Sequence, residues 1–184
     1  VRATALIPRR VKCIEELIIL VDQQDQEVGY AEKMKAHTEG QLHRSFSIFV
    51  FNSQGNLLLQ KRAETKYHCG GLWSNTCCSH PRIGESLEES THRRLKEEMG
   101  FDCELREIFS FVYRVELENK LIEHEHDHVF VGTFDLDPTP NLNEVDGWKW
   151  ANLQELRKDV EKYPDSCTPW FRMSLDKMGW NPPG

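Results

Sequence analysis

Apolar and polar positions change their period several times along the chain, and each change marks an element. Leu87, Leu95 and Met99 fall on one stripe at helical spacing with Thr91 between them. Ser86 followed three residues later by Glu89 is a capping-box signature, and Gly100 stands where a left-handed C-terminal cap is wanted. Residues 86–99 are therefore expected to form about four turns of amphipathic helix. Ahead of it, residues 15–22 are rich in Leu and Ile and read as a buried strand, followed by a polar turn and a second short strand at 28–32. Residues 33–43 read as a loop. Residues 46–51 make a strongly apolar strand, and a turn at 52–56 returns the chain through 57–60 as its hairpin partner. Beyond the helix, 109–117 and 121–134 flank a turn at 118–120 as a long hairpin. Trp148 and Trp150 mark a further strand, 153–162 a helix, and Pro169 the first turn of a last helix with Trp170 just inside it.

Chemistry sits at several points on this frame. The second strand of the long hairpin runs Glu123, His124, Glu125, His126, Asp127, His128. A strand sends successive side chains to opposite faces, so the carboxylates share one face and the imidazoles the other. Only one set can face a given site, and alternation alone does not say which. The segment 33–43 holds Lys33, His37 and His43; read alone, it is a surface loop. Arg62 and Lys66 follow the end of a strand, where Arg offers a planar fork and Lys a point charge to a diphosphate. As isolated residues they would be solvated charge. Residues 73–81, expected as a loop, set Cys77, Cys78, Ser79 and His80 directly ahead of the helix.

The totals narrow the choice. The 184 residues suffice for one domain with a sizeable core, expected over 14–184 behind an N-terminal arm at 1–13. A formal net charge of -7 and the lack of a long basic run argue against a nucleic-acid or anionic-membrane surface. Any anionic ligand must be captured by a few placed cations and a metal. No apolar run approaches the roughly 20 residues of a spanning helix, and residues 1–12, although basic, lack the apolar centre of a secretory signal. The expectation is a cytoplasmic protein with no membrane or nucleic-acid partner, monomeric or weakly homo-oligomeric. Cysteines at 13, 69, 77, 78, 103 and 167 lack the spacing of a secreted framework and read as reduced thiols.

On the helix, Arg93, Arg94, Glu97 and Glu98 stand at i, i+4 spacing, so each Arg can reach a Glu one turn later. Such a run is ordinarily a solvated face. The pattern Glu85, Arg93, then Glu97 through Phe101 nevertheless resembles the Nudix box, whose helix carboxylates hold Mg²⁺ against a diphosphate. Two positions depart from that pattern: Ser79 stands at its opening Gly, and Arg94 stands where the hydrolases carry a metal-binding Glu. The departure disfavours diphosphate hydrolysis and leaves diphosphate binding intact.

Taken in order, His37 and His43, Arg62 and Lys66, the string from Asn75 to Pro81, the altered Nudix helix, Tyr113, Glu123-x-Glu125 and Thr168-Pro169-Trp170 resemble the type I isopentenyl-diphosphate isomerases over about residues 17–180. The resemblance implies an α/β (α+β) fold, a Nudix-type α/β/α sandwich with a mixed central sheet. It implies the isomerisation of isopentenyl to dimethylallyl diphosphate, a step of isoprenoid biosynthesis. It implies His37, His43, His80, Glu123 and Glu125 as metal ligands, which turns the carboxylate face of the strand to the site and His124, His126 and His128 away. Glu98 is implied as the carboxylate that holds Mg²⁺ together with the diphosphate. Lys33, Arg62 and Lys66 would grip the diphosphate, and Ser79 and Arg94 would add substrate contacts. Cys78 and Glu125 match the catalytic pair, with Tyr113 and Trp170 lining the cavity.

The implied reaction explains the residue types. Moving a double bond adds a proton to one carbon and removes one from another, so two groups must face a flat alkene from either side. A thiol with a pKa near neutrality and a metal-bound carboxyl hydrogen-bonded to Tyr113 suit these roles. The tertiary cation formed in between would be quenched by water, and the π face of Trp170 can stabilise it by up to ~2 kcal/mol. Three imidazoles and two carboxylates suit Mn²⁺ or Zn²⁺ better than Mg²⁺. Two other readings stand beside this one: a Nudix hydrolase of a nucleoside diphosphate derivative, and a metal-stabilised binding domain in which Cys78 is an inert thiol.

Overall fold

The strand His43–Phe51 organises the molecule, because both of its faces are apolar. Phe46, Ile48 and Val50 alternate with Phe49 and Phe51, and all are buried. A strand of this kind needs a layer packed on each side. The computed structural model describes residues 16–182; the arm expected at 1–13, with Cys13, lies outside them. Among the described residues nine strands join in one mixed sheet: β1 (Leu17–Val21), β2 (Glu27–Glu32), β3 (His43–Phe51), β4 (Leu57–Arg62), β5 (Trp73–Ser74), β6 (Cys77–Ser79), β7 (Leu105–Glu116), β8 (Ile122–Thr133) and β9 (Val145–Ala151). The helices are α1 (Lys33–Glu39), α2 (Leu87–Met99), α3 (Leu153–Lys162) and α4 (Pro169–Lys177).

The two faces of β3 meet different layers. On one side Leu95 and Met99 of α2 pack against Phe46, Ile48, Val50, Leu58 and Phe130. On the other, Leu156 and Val160 of α3 and Phe171 and Leu175 of α4 pack against Phe49, Phe51, Leu57, Leu59 and Val129. The result is the α/β/α sandwich around a mixed sheet that the sequence led us to expect. No helix of the described residues is long and apolar enough to cross a membrane.

Pairing explains how the sheet builds a pocket. β8 runs parallel to β3 along its full length, from His43↔Glu125 to Phe51↔Thr133. On its other partners β3 meets β1 at His43, β6 over Phe46–Ile48 and β4 at Phe51. The expected hairpin of 46–51 with 57–60 is thus joined only at Phe51↔Leu57, because β6 occupies the position a regular hairpin would fill. β4 pairs instead with β9, from Leu57↔Ala151 to Arg62↔Val145, and with β5. The long hairpin of β7 and β8 forms as expected, closed by a turn at Glu118–Lys120.

Two segments expected as loops carry structure. Residues 33–39 form α1, capped at its start by the Glu32 carboxylate, which accepts from the backbone N–H of Met34 at 2.9 Å and of Lys35 at 2.8 Å, and at its end by Gly40 at φ +65°. Glu is an uncommon cap, and seven residues are too few to display a period. The stretch 73–81 contains the short strands β5 and β6.

The helix α2 is capped as expected: Glu89 N donates to Ser86 Oγ at 3.1 Å, and Ser86 N donates to Glu89 Oε2 at 2.9 Å. Gly100 follows at φ +76°, and a Cβ there would run into the Thr139 carbonyl. Ser86→Ala should therefore cost about 1 kcal/mol, whereas Gly100→Ala combines a left-handed backbone with a backbone clash and should cost clearly more. Urea unfolding midpoints for the two variants check the order, and a milder effect at Gly100 would show that the cap rearranges freely.

Candidate active site and metal centre

The parity of β8 decides what faces inward. Glu123, Glu125 and Asp127 share one face, and Glu123 and Glu125 line a cleft between β3, β6, α2 and α4. His124 turns the other way, with Nδ1 2.9 Å from the Gly40 carbonyl; His126 and His128 share that opposite face. This is the carboxylate-inward choice. Asp127 is fully buried and receives the Ser45 hydroxyl at 3.3 Å; burial and the neighbouring Glu125 push its pKa well up.

Imidazoles converge on the two glutamates. α1 presents His37 on its buried face, β3 begins at His43, and His80 follows β6. Their ring centroids lie 4.8 Å (His37 to His43), 5.0 Å (His43 to His80) and 5.7 Å (His37 to His80) apart. His37 Nδ1 lies 2.7 Å from the Lys33 carbonyl and His43 Nδ1 2.9 Å from the Gln41 carbonyl. A carbonyl only accepts, so each Nδ1 carries its hydrogen and each Nε2 is left to face the carboxylates. His37 Nε2 is 3.2 Å from Glu123 Oε2, and His43 and His80 Nε2 are 3.5 and 3.0 Å from Glu125 Oε1. Buried lone pairs facing buried carboxylate oxygens are relieved by protons or by a cation. Ligand atoms of His37, His43, His80 and Glu125 lie within 4.8 Å of one another, as do those of His37, His68 and Glu123. The residues present fit a divalent metal.

Burial and charge pull in opposite directions here. Burial raises the pKa of Glu125, but His43 and His80 outweigh it and hold the carboxyl well below the usual range. Burial pushes His80 down to about 4 despite its bond to Glu125. Tyr113 donates to Glu125 Oε2 at 2.5 Å, and burial beside the carboxylates keeps it a phenol.

The expected cations line the same cleft. Lys33 pairs with Glu16 at 3.0 Å, Lys66 with Glu144, and Arg94 with Glu97 at 2.8 Å and with Glu98. Arg62 differs. It is 6% exposed, no carboxylate of the described residues pairs with it, and its nearest groups are the Cys78 thiol at 3.8 Å and the His68 carbonyl at 3.4 Å. A buried guanidinium without a counter-ion is a receptor for an anion. Glu98 is buried on α2, one oxygen held by Gln60 Nε2 at 3.1 Å and the other by Arg94. It belongs to neither metal-ligating group, so a metal there needs oxygens from a ligand.

Cys78, Ser79 and Trp170 complete the lining. Cys78 departs from expectation: burial pushes its thiol up to about 12, with Arg62 only partly opposing, so it is a protonated thiol rather than one titrating near neutrality. Trp170 is buried, with the Arg62 guanidinium 5.3 Å and the His68 ring 5.7 Å from its own. The residues expected as metal ligands, diphosphate cations, substrate contacts and acid/base pair thus lie in or directly behind one cleft. Sequence reading missed His68, whose Nε2 is 2.6 Å from Glu123 Oε1, and Tyr67, whose hydroxyl is 3.5 Å from His37 Nε2. Their only signal is adjacency to Lys66. Gln60, which steadies Glu98, gave none.

A family model, the NUDIX domain, matches residues 41–171. Among solved structures, a protein from Deinococcus radiodurans has a TM-score of 0.67 at 22% identity, covering 80% of this chain and 90% of that one. The MutT protein from Methanosarcina mazei Go1 has a TM-score of 0.63 at 19% identity, covering 75% and 93%. These likenesses concern the fold. Curated relatives go further: "Isopentenyl-diphosphate Delta-isomerase 2" of Photorhabdus laumondii is 53% identical over 91% of this chain and 94% of its own length. "Isopentenyl-diphosphate Delta-isomerase" of Burkholderia multivorans is 52% identical over 90% and 93%. The chain belongs to the NUDIX family and, within it, to the isopentenyl-diphosphate Delta-isomerases.

The parity of β8 makes a direct prediction. Replacing His43 by Gln removes a nitrogen from the inward cluster and should lower the metal bound per chain, whereas His124→Gln, on the outward face, should leave it unchanged. Elemental analysis of both purified variants decides, and equal metal content would show that the inward histidines do not ligate.

Proposed function

We propose that Cys78 and Glu125 form the acid/base pair of this protein's reaction, the isomerisation of isopentenyl diphosphate to dimethylallyl diphosphate. What supports this reading is the meeting in one cleft of the Cys78 thiol, the Glu125 carboxylate and the unpaired, buried Arg62 cation. The diphosphate is gripped by Arg62 together with Lys33, Lys66, Arg94 and Ser79, which leaves the hydrocarbon end between the thiol and the carboxylate. One of the pair delivers a proton to a terminal alkene carbon, and the other removes a proton from the neighbouring methylene. The double bond moves and the diphosphate stays intact.

Each supporting residue has a task. Tyr113, hydrogen-bonded to Glu125, fixes which carboxylate oxygen faces the substrate and can pass a proton to or from it. Trp170 closes the cleft with an apolar wall, excluding the water that would trap a tertiary carbocation and offering its π face to the positive charge. His68 holds Glu123 beside the metal cluster. Arg94, in place of a metal-binding carboxylate, supplies charge to the diphosphate without assembling the machinery for cleaving it.

His37, His43, His80, Glu123 and Glu125 would hold a divalent metal, Mn²⁺ or Zn²⁺ in preference to Mg²⁺ because three of the donors are nitrogen. Glu98 and the diphosphate offer an all-oxygen set suited to Mg²⁺. When bound, such cations neutralise the buried carboxylates and the diphosphate.

Two experiments test the reading. In D₂O the dimethylallyl diphosphate product should carry deuterium from solvent; release of phosphate in place of isomer would sink the assignment. Cys78→Ala should lower kcat by roughly 10²- to 10⁴-fold, the usual contribution of a general acid or base, with KM little changed. Turnover retained in a folded Cys78→Ala variant would remove the thiol from the mechanism.

A further inference from the structure

On the face of β8 turned away from the cleft, a separate group of ligating side chains converges. Ligand atoms of Asp25, His126 and His128 all lie within 4.8 Å of one another. His126 and His128 stand two apart on the strand and so share a face, and their rings stack at 5.2 Å with 22° between planes. Asp25 comes from the turn between β1 and β2, where its backbone adopts φ +60°.

Each of these residues is already fixed by a partner on its far side. His128 Nδ1 lies 2.7 Å from Glu107 Oε1, which leaves Nε2, 3.1 Å from Asp25 Oδ2, facing the group. Asp25 Oδ1 accepts from Arg44 Nε at 2.8 Å, which leaves Oδ2. His126 Nε2 is 3.2 Å from the Ser110 hydroxyl, while its Nδ1 is buried without a partner, on a residue only 8% exposed. An imidazole with one nitrogen held by an outer carboxylate or hydroxyl and the other turned toward further donors is the arrangement found at metal-ligating histidines, where the outer partner sets tautomer and ring orientation.

We propose that Asp25, His126 and His128 form a second divalent-metal site, of the Zn²⁺ class, on the opposite face of the strand from the catalytic cleft. Two imidazoles and one carboxylate suit Zn²⁺ or a similar borderline cation and suit Mg²⁺ or Ca²⁺ poorly. The Asp25 and Glu107 carboxylates exceed the single charge of Arg44, so the surroundings favour a cation. Because Asp25 sits in a turn, it can close on a metal at the roughly 2.0–2.2 Å of a Zn²⁺–carboxylate bond. The bound ion ties the β1–β2 turn to the centre of the sheet and braces β8 from behind Glu125. Its role is structural, and it does not depend on the reaction proposed above.

The test is zinc stoichiometry. Protein stripped with chelator, reloaded with Zn²⁺ and dialysed should hold one more zinc per chain than His126→Gln or Asp25→Asn treated identically, and Zn²⁺ should raise the thermal midpoint of wild type more than that of either variant. Turnover of the variants should stay within about twofold of wild type, which separates this site from the cleft. Asp25→Asn keeps both imidazoles and serves where His126→Gln fails to fold. Zinc content in a folded variant equal to that of wild type would overturn the proposal.

Discussion

Two carboxylates buried side by side on one face of a strand are the constraint around which this molecule is built. Glu123 and Glu125 are 3% and 8% exposed and separated by a single residue, so Glu125 raises the proton affinity of Glu123 while burial raises that of both. Left uncompensated, such a pair would destabilise the fold by several kcal/mol. The compensation comes from imidazoles brought in by four separate segments: His37 on α1, His43 at the head of β3, His68 in the loop after β4 and His80 after β6. The carboxylates therefore dictate where distant parts of the chain must end, and the same assembly brings together ligand atoms that could hold a divalent metal.

The central strand sets this electrostatic arrangement beside the Cys78 thiol in one cleft. β3 has β6 and β8 as neighbours, with Ser47 opposite Cys78 in one ladder and His43 opposite Glu125 in the other. A thiol and a carboxylate carried on two strands that flank a common partner are held apart by backbone hydrogen bonds rather than by flexible side chains. Such rigidity would serve the proton transfers proposed for this pair. The cations proposed to grip the diphosphate come from elsewhere, on α2, at the end of β4 and at the start of α1, so in that proposal charge recognition and hydrocarbon chemistry are built by different elements.

Much of this could be read from the chain. Period and caps revealed α2 with both of its ends, the apolar run at 46–51 marked β3 as a strand, and the family resemblance supplied the sandwich. The Asn75 to Pro81 string and the Glu123-x-Glu125 pair carried the family resemblance and, with it, the residues that the fold brings to one cleft. What escaped had physical causes. α1 is a single short helix whose cap is a Glu, so neither length nor capping residue distinguished it from a loop. The split hairpin depends on β6 competing for the same part of β3, a long-range event with no local trace. The Cys78 thiol was expected near neutrality because the implied proton transfer calls for such a group, but desolvation exceeds the influence of Arg62. His68 and Gln60 act through contacts that arise only when the chain is folded.

Burial along β3 and β8 shows why such a polar assembly can coexist with a stable core. Both strands change character midway: His43, Ser45 and Ser47 give way to Phe49 and Phe51 on one face of β3, as Glu123, Glu125 and Asp127 give way to Val129 and Val131 on β8. Parallel pairing in a single register sets like beside like, with Ser45 opposite Asp127 and Phe49 opposite Val131. One end of the sheet consequently gathers the groups that need ions, hydrogen bonds and ligands, and the other gathers the hydrocarbon that α3 and α4 cover. A shift of the register by one residue would turn the carboxylates of β8 to the face that now carries His126 and His128 and strand Val129 and Val131 as well. The core half thus enforces the alignment on which the polar half relies, and stability and chemistry are coupled through the parity of one strand.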